Sequence, residues 1–147
     1  MTEFVRAKAE HAATLLKFVR AYYEFDGIAF DRDSVARGIT ELIANPSLAE
    51  AWLIQDGSEL VGHFVLAFGF DLEFGGRQAT LTELYLEPHA RGRGLGSATL
   101  RFAEERLREL GIRTLELQAE HDNTDALRFY ERAGFVRETR IPLTKRW

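Results

Sequence analysis

Apolar residues recur along the chain with two different periods, which separate predicted helices from predicted strands. Helical spacing predicts helices over residues 10–25, from 33 or 34 to about 44, over about 95–110 and from about 123 to 133. Strand-like runs occupy 2–7, 51–55, 59–70, 77–86 and 114–118, and the tail 135–147 is predicted to form two short strands around Pro142. The order β-α-α-β-β-β-α-β-α-β-β predicts one α/β domain over residues 1–147, with helices on both faces of a mixed sheet.

The composition narrows the classes of function. A net charge of −4 argues against nucleic-acid binding, because phosphate contact needs concentrated Lys and Arg. No apolar run approaches the roughly 20 residues of a membrane span, and the first residues lack the apolar segment of a signal peptide. We therefore expect a cytoplasmic protein without a membrane partner. The chain has no cysteine, which excludes disulfides and thiolate nucleophiles.

Residues 81–100, LTELYLEPHARGRGLGSATL, contain the most specific signal in the chain. Glycines at 92, 94 and 96 allow the backbone to curl, so that its N–H groups can converge on an anion. The helix that begins near residue 95 adds unpaired amides and a partial positive charge at the same point. This segment therefore predicts a binding site for a phosphate or a pyrophosphate.

The glycine spacing separates three types of nucleotide-binding loop. A Walker A loop requires Gly-Lys, which does not occur in this chain. The dinucleotide fingerprint Gly-x-Gly-x-x-Gly fails from either Gly92 or Gly94, because its last position holds Ser97 or Thr99. A third pattern, Arg-x-x-Gly-x-Gly, is met by residues 91–96. An ordinary glycine-rich turn between a strand and a helix is the remaining interpretation.

A second motif lies in residues 120–135, EHDNTDALRFYERAGF. Asp122 or Asn123 is suited to cap a helix, and Ala126 and Tyr130 then share one helical face. The segment has the form Asn-x-x-Ala-x-x-x-Tyr-x-x-x-Gly-Phe.

The two motifs together resemble those of the GCN5-related N-acetyltransferases, the GNAT family. The first is similar to the family's pyrophosphate loop for acetyl-coenzyme A, which follows a Glu-Leu-Tyr-Leu-x-Pro strand end. The resemblance implies a GNAT-like, mostly antiparallel sheet and acetyl-CoA as cosubstrate. It implies transfer of an acetyl group to a primary amine of a small molecule or peptide, by direct attack in a ternary complex. A non-catalytic coenzyme A-binding sensor of the same fold is the alternative.

The resemblance also implies which residues contact the coenzyme. These are Leu84, Tyr85, Leu86, Arg91, Gly92, Arg93, Gly94, Leu95, Gly96, Ser97, Asn123, Ala126 and Tyr130. Amides near Leu84 and Leu86 are implied to face the thioester and the pantetheine arm. Tyr130 is the implied general acid, since phenol and thiol pKa values of roughly 10 and 8.5 allow proton donation. An aromatic core position is the alternative for this tyrosine.

The acceptor amine leaves a weaker signal. By resemblance the first two helices build its pocket, where Tyr23, Glu24 and Asp26 would bind it together with Glu83, which is also the candidate general base. Core aromatics beside solvated acids explain the same residues equally well.

The histidines bear on metal binding, and the C-terminal tail bears on assembly. The four histidines include no pair with the i, i+4 spacing of a helical metal site, so no metal is expected, and His63 is expected to be structural. The C-terminal strands and Trp147 are suited to pairing with a second copy, which makes a homodimer a further expectation.

Overall fold

The computed structural model describes all 147 residues. The strands are β1 Thr2–Arg6, β2 Ala49–Asp56, β3 Glu59–Asp71, β4 Gly76–Leu86 and β5 Leu115–Leu117. The helices are α1 Ala12–Asp26, α2 Arg32–Ala44, α3 Leu95–Glu109 and α4 Thr124–Arg132. Short 3-10 turns lie at Ala9–His11, Leu72–Phe74 and Pro88–Ala90. No helix combines the length and the apolar character needed to cross a membrane.

The strands form one sheet in the order β1-β2-β3-β4-β5. Neighbours are antiparallel except β4 and β5, which are parallel. Because side chains alternate between the faces of a strand, the sheet buries two cores. The α3 face packs Phe64 and Leu66 against α3 and α4, and the α1 face packs Leu53 and Val65 against α1 and α2. The predicted mixed, mostly antiparallel sheet with helices on both faces is confirmed.

The two strands predicted in the tail are wrong. Residues 135–147 contain no helix or strand, and the apolar side chains of Val136, Ile141, Leu143 and Trp147 are exposed. A strand forms by pairing, and the neighbouring edge of the sheet is β5, which is only three residues long. Pro142 also lacks the N–H that a ladder requires. The apolar alternation of the tail therefore has no partner strand.

Helix starts differ slightly from the predicted ones. α1 begins at Ala12, since residues 9–11 form a 3-10 turn. α2 begins at Arg32, because the side chain of Asp31 accepts a hydrogen bond from the Ser34 amide at 3.2 Å and acts as the N-cap.

A β-bulge interrupts the pairing of β3 with β4. Val65 pairs with Glu83, but the next residue, Leu66, pairs with Leu81, so Thr82 is an extra residue in β4. On its other side β4 pairs with β5 only through residues 79–81. The second half of β4, after the bulge, therefore has a free edge.

A buried carboxylate attaches α3 to the sheet. Glu50 of β2 is 2% exposed and accepts from Arg106 of α3 at 2.6 and 2.9 Å and from the Trp52 indole at 3.0 Å. Arg6 of β1 lies 3.3 Å from the same carboxylate. Burial would raise the pKa of the Glu50 carboxyl, but hydrogen bonds from Arg106 and Trp52 and the charges of the two arginines outweigh burial and lower that pKa.

This network makes a prediction about stability. A carboxyl whose pKa is lower in the folded than in the unfolded chain stabilises the fold at neutral pH, and the stabilisation is lost as the pH falls toward the folded-state pKa. We expect Glu50→Gln to lower the free energy of unfolding at neutral pH by about 2 kcal/mol, less than for a fully buried pair because both guanidiniums are partly hydrated. Stability of the variant should also decline less steeply on acidification. Denaturant unfolding at several pH values measures both effects.

Glu104→Gln is the matched control. Glu104 pairs with Arg108 at 3.9 Å on the surface of α3, so its loss should change stability by less than about 0.5 kcal/mol. Equal losses in the two variants would contradict the role of the buried network.

Candidate functional site

The free edge of β4 presents backbone groups that no strand covers. The Glu87 amide donates to the Val61 carbonyl at 2.8 Å. Because donors alternate along an antiparallel ladder, the N–H and C=O groups of Leu84 and Leu86 point away from β3. β5 ends at Leu117, which pairs with Leu81, so no strand covers these groups. An extended ligand with amide groups fits this edge as an added strand.

The loop after β4 contains a run of free amides. None of the backbone N–H groups from Gly92 to Ser97 has an acceptor in the protein. Gly92 and Gly94 have φ values of 76° and 82°, a left-handed conformation that glycine adopts without strain. No side chain caps α3, whereas side chains cap both α2 and α4. The start of α3 is therefore open to an anion.

The arginines of this loop already contact the protein. The Arg91 Nε donates to the Leu86 carbonyl at 2.8 Å, and its guanidinium lies 4.6 Å from the Phe25 ring and 5.6 Å from the Tyr85 ring. Arg93 pairs with Asp56. Arg91 thereby joins the loop both to the free edge of β4 and to the end of α1. The backbone is the part of the loop with free donors.

A close contact fixes α4 beside the loop. A Cβ on Gly96 would lie 3.1 Å from the Phe129 ring of α4, so a larger residue there would require that ring to shift by a few tenths of an ångström. Asn123 caps α4 by accepting from the Ala126 amide at 3.2 Å. The predicted motif residues of α4 are thus held at the open start of α3.

Tyr130 of α4 packs against the core on the α3 face and contacts the Phe129 and Phe135 rings. α4 packs on the α3 face, yet the Tyr130 phenol lies within electrostatic reach of Asp26, which belongs to α1 on the opposite face. Burial, followed by the charge of Asp26, raises the pKa of Tyr130 to about 12. Its hydroxyl has no hydrogen-bond partner in the protein, so it is a neutral donor with free capacity.

Glu83 lies on the α1 face of β4, beside the end of α1. One oxygen of its carboxylate is 2.7 Å from His63 Nε2, and the other accepts from the Tyr23 hydroxyl at 3.1 Å. Burial, and then the charge and hydrogen bond of Glu83, raise the pKa of Tyr23 to about 12. Burial, and then the charges of Asp26 and Glu83, also raise the pKa of Tyr22. We call Tyr22, Tyr23, Asp26 and Glu83 the phenol–carboxylate cluster.

The structure brings most of the predicted acceptor-side residues together. Tyr23, Asp26 and Glu83 belong to this cluster, and Tyr130 faces it. Glu24 does not, because its exposed side chain pairs with Arg20 at 3.6 Å along the outside of α1.

Sequence reasoning missed Tyr22 and His63 as members of the site. Helical spacing places Tyr22 near Asp26, four residues later, which was a usable signal. No local signal links His63 to Glu83, since the two belong to different strands and their shared face depends on the bulge.

Three neighbouring residues could offer ligands to a cation. Donor atoms of Glu120, His121 and Asp122 lie within 4.8 Å of one another, and all three residues are exposed. Exposed acidic turns of this kind are common in proteins without a metal.

Open amides at a helix start, together with the uncovered edge of the preceding strand, fit a long phosphate-bearing ligand. The chain matches the model of the acetyltransferase (GNAT) family over residues 14–135 and belongs to this family. The predicted family membership is confirmed.

Two relatives are similar to this chain in sequence, and one solved structure is similar to it in fold. A mycothiol acetyltransferase of Sanguibacter keddieii is 36% identical over 108 residues, 68% of this chain and 34% of that protein, so the chain spans about a third of its length. An aminoalkylphosphonate N-acetyltransferase of Salmonella typhimurium is 30% identical over 105 residues, 71% of this chain and 68% of that protein. A predicted acetyltransferase of Clostridium acetobutylicum, solved with acetyl-CoA, has a similar fold, with a TM-score of 0.83, 19% identity and coverage of 99% of this chain and 96% of that one.

Two glycines allow a matched test of the loop. Gly94 and Gly111 have φ values of 82° and 74°, and each has open space where a Cβ would lie. Alanine at either position should cost a similar amount of stability, about 1 kcal/mol, because both backbones are left-handed. Only Gly94 belongs to the loop with free amides. We expect Gly94→Ala to weaken coenzyme A binding at least about tenfold, or about 1.4 kcal/mol, and Gly111→Ala to leave binding unchanged.

Calorimetric titration with coenzyme A and thermal unfolding of both variants measure these effects. Equal affinities in the two variants would show that the loop backbone does not bind the diphosphate.

Proposed function

We propose that this chain transfers the acetyl group of acetyl-coenzyme A to a primary amine by direct attack in a ternary complex. One observation supports this most strongly: the uncapped start of α3 leaves the amides from Gly92 to Ser97 free, and the uncovered edge of β4 leads from that loop toward Glu83. A coenzyme with a diphosphate at one end and a thioester at the other matches that sequence of groups. The protein has no cysteine, which excludes an acyl-thiolate intermediate and favours direct attack.

The coenzyme would be held mainly by the backbone. The amides from Gly92 to Ser97 would bind the diphosphate, which suits both the free donors and the positive end of the α3 dipole. The outward-facing groups of Leu84 and Leu86 would pair with the amides of the pantetheine arm. The start of α4, at Asn123 and Ala126, would border the arm on its other side.

Proton transfers would occur on opposite sides of the thioester. Glu83 would accept a proton from the ammonium form of the acceptor, and the neutral amine would then attack the thioester carbonyl carbon. The Leu84 amide would donate to the oxygen that becomes negative. As the new C–N bond replaces the C–S bond, the Tyr130 hydroxyl would donate its proton to the departing sulfur. The extra proton on the new amide nitrogen would leave to solvent, from which the Tyr130 phenolate would be reprotonated.

The chemistry of the phenol–carboxylate cluster favours a cationic acceptor. Two carboxylates beside phenol rings attract an ammonium group through charge and cation–π contact. The same carboxylates would repel an anionic group next to the amine. We therefore propose a small amine or a lysine side chain without a neighbouring phosphonate, unlike the substrate for which the Salmonella relative is named.

An amine panel tests the proposed function. The panel contains a diamine, an amino sugar, an aminoalkylphosphonate and a lysine-containing peptide, and the assay follows release of the coenzyme A thiol. We expect turnover with at least one cationic amine and the slowest reaction with the aminoalkylphosphonate. Tight acetyl-CoA binding without turnover on any amine would instead indicate a sensor.

A conservative substitution tests the proposed acid. Tyr130→Phe removes one hydroxyl and keeps the ring that packs against Phe129 and Phe135. We expect kcat to fall about 10²-fold, the usual size of a lost general acid, with the Kd for acetyl-CoA unchanged. Because the pKa of Tyr130 is about 12, the wild-type rate should show no loss from phenol ionisation below about pH 11. An unchanged kcat in the variant would exclude Tyr130 as the acid.

The extent of the domain, the location and the assembly stay predictions. We propose a single domain over residues 1–147 that acts in the cytoplasm and forms a homodimer. Size-exclusion chromatography with light scattering would test the last of these.

A further inference from the structure

We infer that His63 is a positioning residue that holds the Glu83 carboxylate in the orientation needed to accept the amine proton. This inference rests on the proposed function and adds a residue to its machinery. His63 belongs to β3, far from both sequence motifs. It would act through Glu83.

The β-bulge creates this contact. If the register of the hairpin at residues 71–76 continued along β3 and β4 without a bulge, His63 would pair with Leu84. The Glu83 side chain would then lie on the opposite face of the sheet. The extra residue Thr82 shifts the register, so His63 pairs with Tyr85 and shares a face with Glu83. His63 Nε2 then lies 2.7 Å from the near oxygen of the carboxylate.

The surroundings hold the imidazole rigidly. Its side chain is fully buried, and the Phe18 ring is nearly parallel to it at 6.2 Å. The Tyr22 and Tyr85 rings lie at 6.3 and 6.2 Å. Tyr23, which binds the other oxygen of Glu83, belongs to the partly exposed end of α1. His63 is therefore the fixed partner of the carboxylate.

The hydrogen bonds define the tautomer. An ionised carboxylate only accepts, so Nε2 of His63 carries the proton and donates to Glu83. Nδ1 is buried and has no partner in the protein. The titratable groups around the ring are Glu83 and Tyr85 from β4 and Tyr22 and Tyr23 from α1, and none of them bonds to Nδ1. A neutral imidazole with Nε2–H fits this environment, because a second N–H would be buried without an acceptor.

The unpartnered Nδ1 argues against a purely structural role. Leucine would fill a similar space in this apolar layer without burying a polar atom that lacks a partner. The imidazole is less favourable for packing, and what it adds is the donor to Glu83. Placement of that carboxylate explains why a polar ring is tolerated here.

Two substitutions separate the donor from the packing. His63→Leu fills the layer and removes the donor, whereas the longer amide of His63→Gln can place an N–H near the position of Nε2. With the best amine from the panel, we expect His63→Leu to lower kcat by about 10- to 100-fold, as for other residues that orient a reactive group. Its Kd for acetyl-CoA should be unchanged and its Tm equal to or above that of the wild type. His63→Gln should recover most of kcat.

The pH–rate profile adds a readout that packing would not change. Removal of the donor should change the pH dependence of kcat/KM in His63→Leu, and His63→Gln should restore it. Imidazole ¹⁵N shifts of the wild-type protein test the tautomer directly and do not depend on a variant that folds. We expect the His63 tautomer with its proton on Nε2. The tautomer with its proton on Nδ1 and none on Nε2 would overturn the inference.

The outcomes distinguish this inference from the proposed function. If the wild type acetylates an amine and His63→Leu has the same kcat and pH profile, the inference fails and the function stands. A wild type that acetylates no amine would remove the function and the inference with it.

Discussion

One extra residue in β4 is the constraint on which the rest of the site depends. Thr82 has no partner across the β3–β4 ladder, and every side chain after it lies on the other face from the one that simple alternation would give. Glu83 and Tyr85 consequently face α1, while Leu84 and Leu86 remain in the core beneath α3. The bulge also comes where β5 stops pairing with β4. A single local irregularity thus orients the reactive carboxylate and coincides with the free edge beside it.

The backbone supplies most of the binding surface. α2 and α4 begin with side-chain caps, but α3 begins at a left-handed glycine and leaves its first amides without acceptors. Before the coenzyme binds, water can accept hydrogen bonds from these amides. Phosphate oxygens would then take the place of that water as charged acceptors. Backbone donors do not depend on side-chain identity. A site built from such donors would therefore tolerate wide divergence of sequence.

The parts of the molecule that were predictable are those encoded by local spacing. The glycines of the loop, the cap and tyrosine of α4 and the helical periods all depend on residues within a few positions of one another. The pairing of His63 with Glu83 was not predictable, because it depends on a bulge that no residue type announces. The tail strands were wrong for a related reason. Alternating residues such as Ile141 and Leu143 describe a strand that could pair, whereas pairing requires a long enough neighbouring edge.

The placement of Tyr130 has a consequence for how the products leave. Its helix packs on one face of the sheet, while Glu83 and the acceptor-side aromatics belong to the other. With the proposed roles, the products would leave from different sides: the free thiol would form on the α4 side and the new amide on the α1 side.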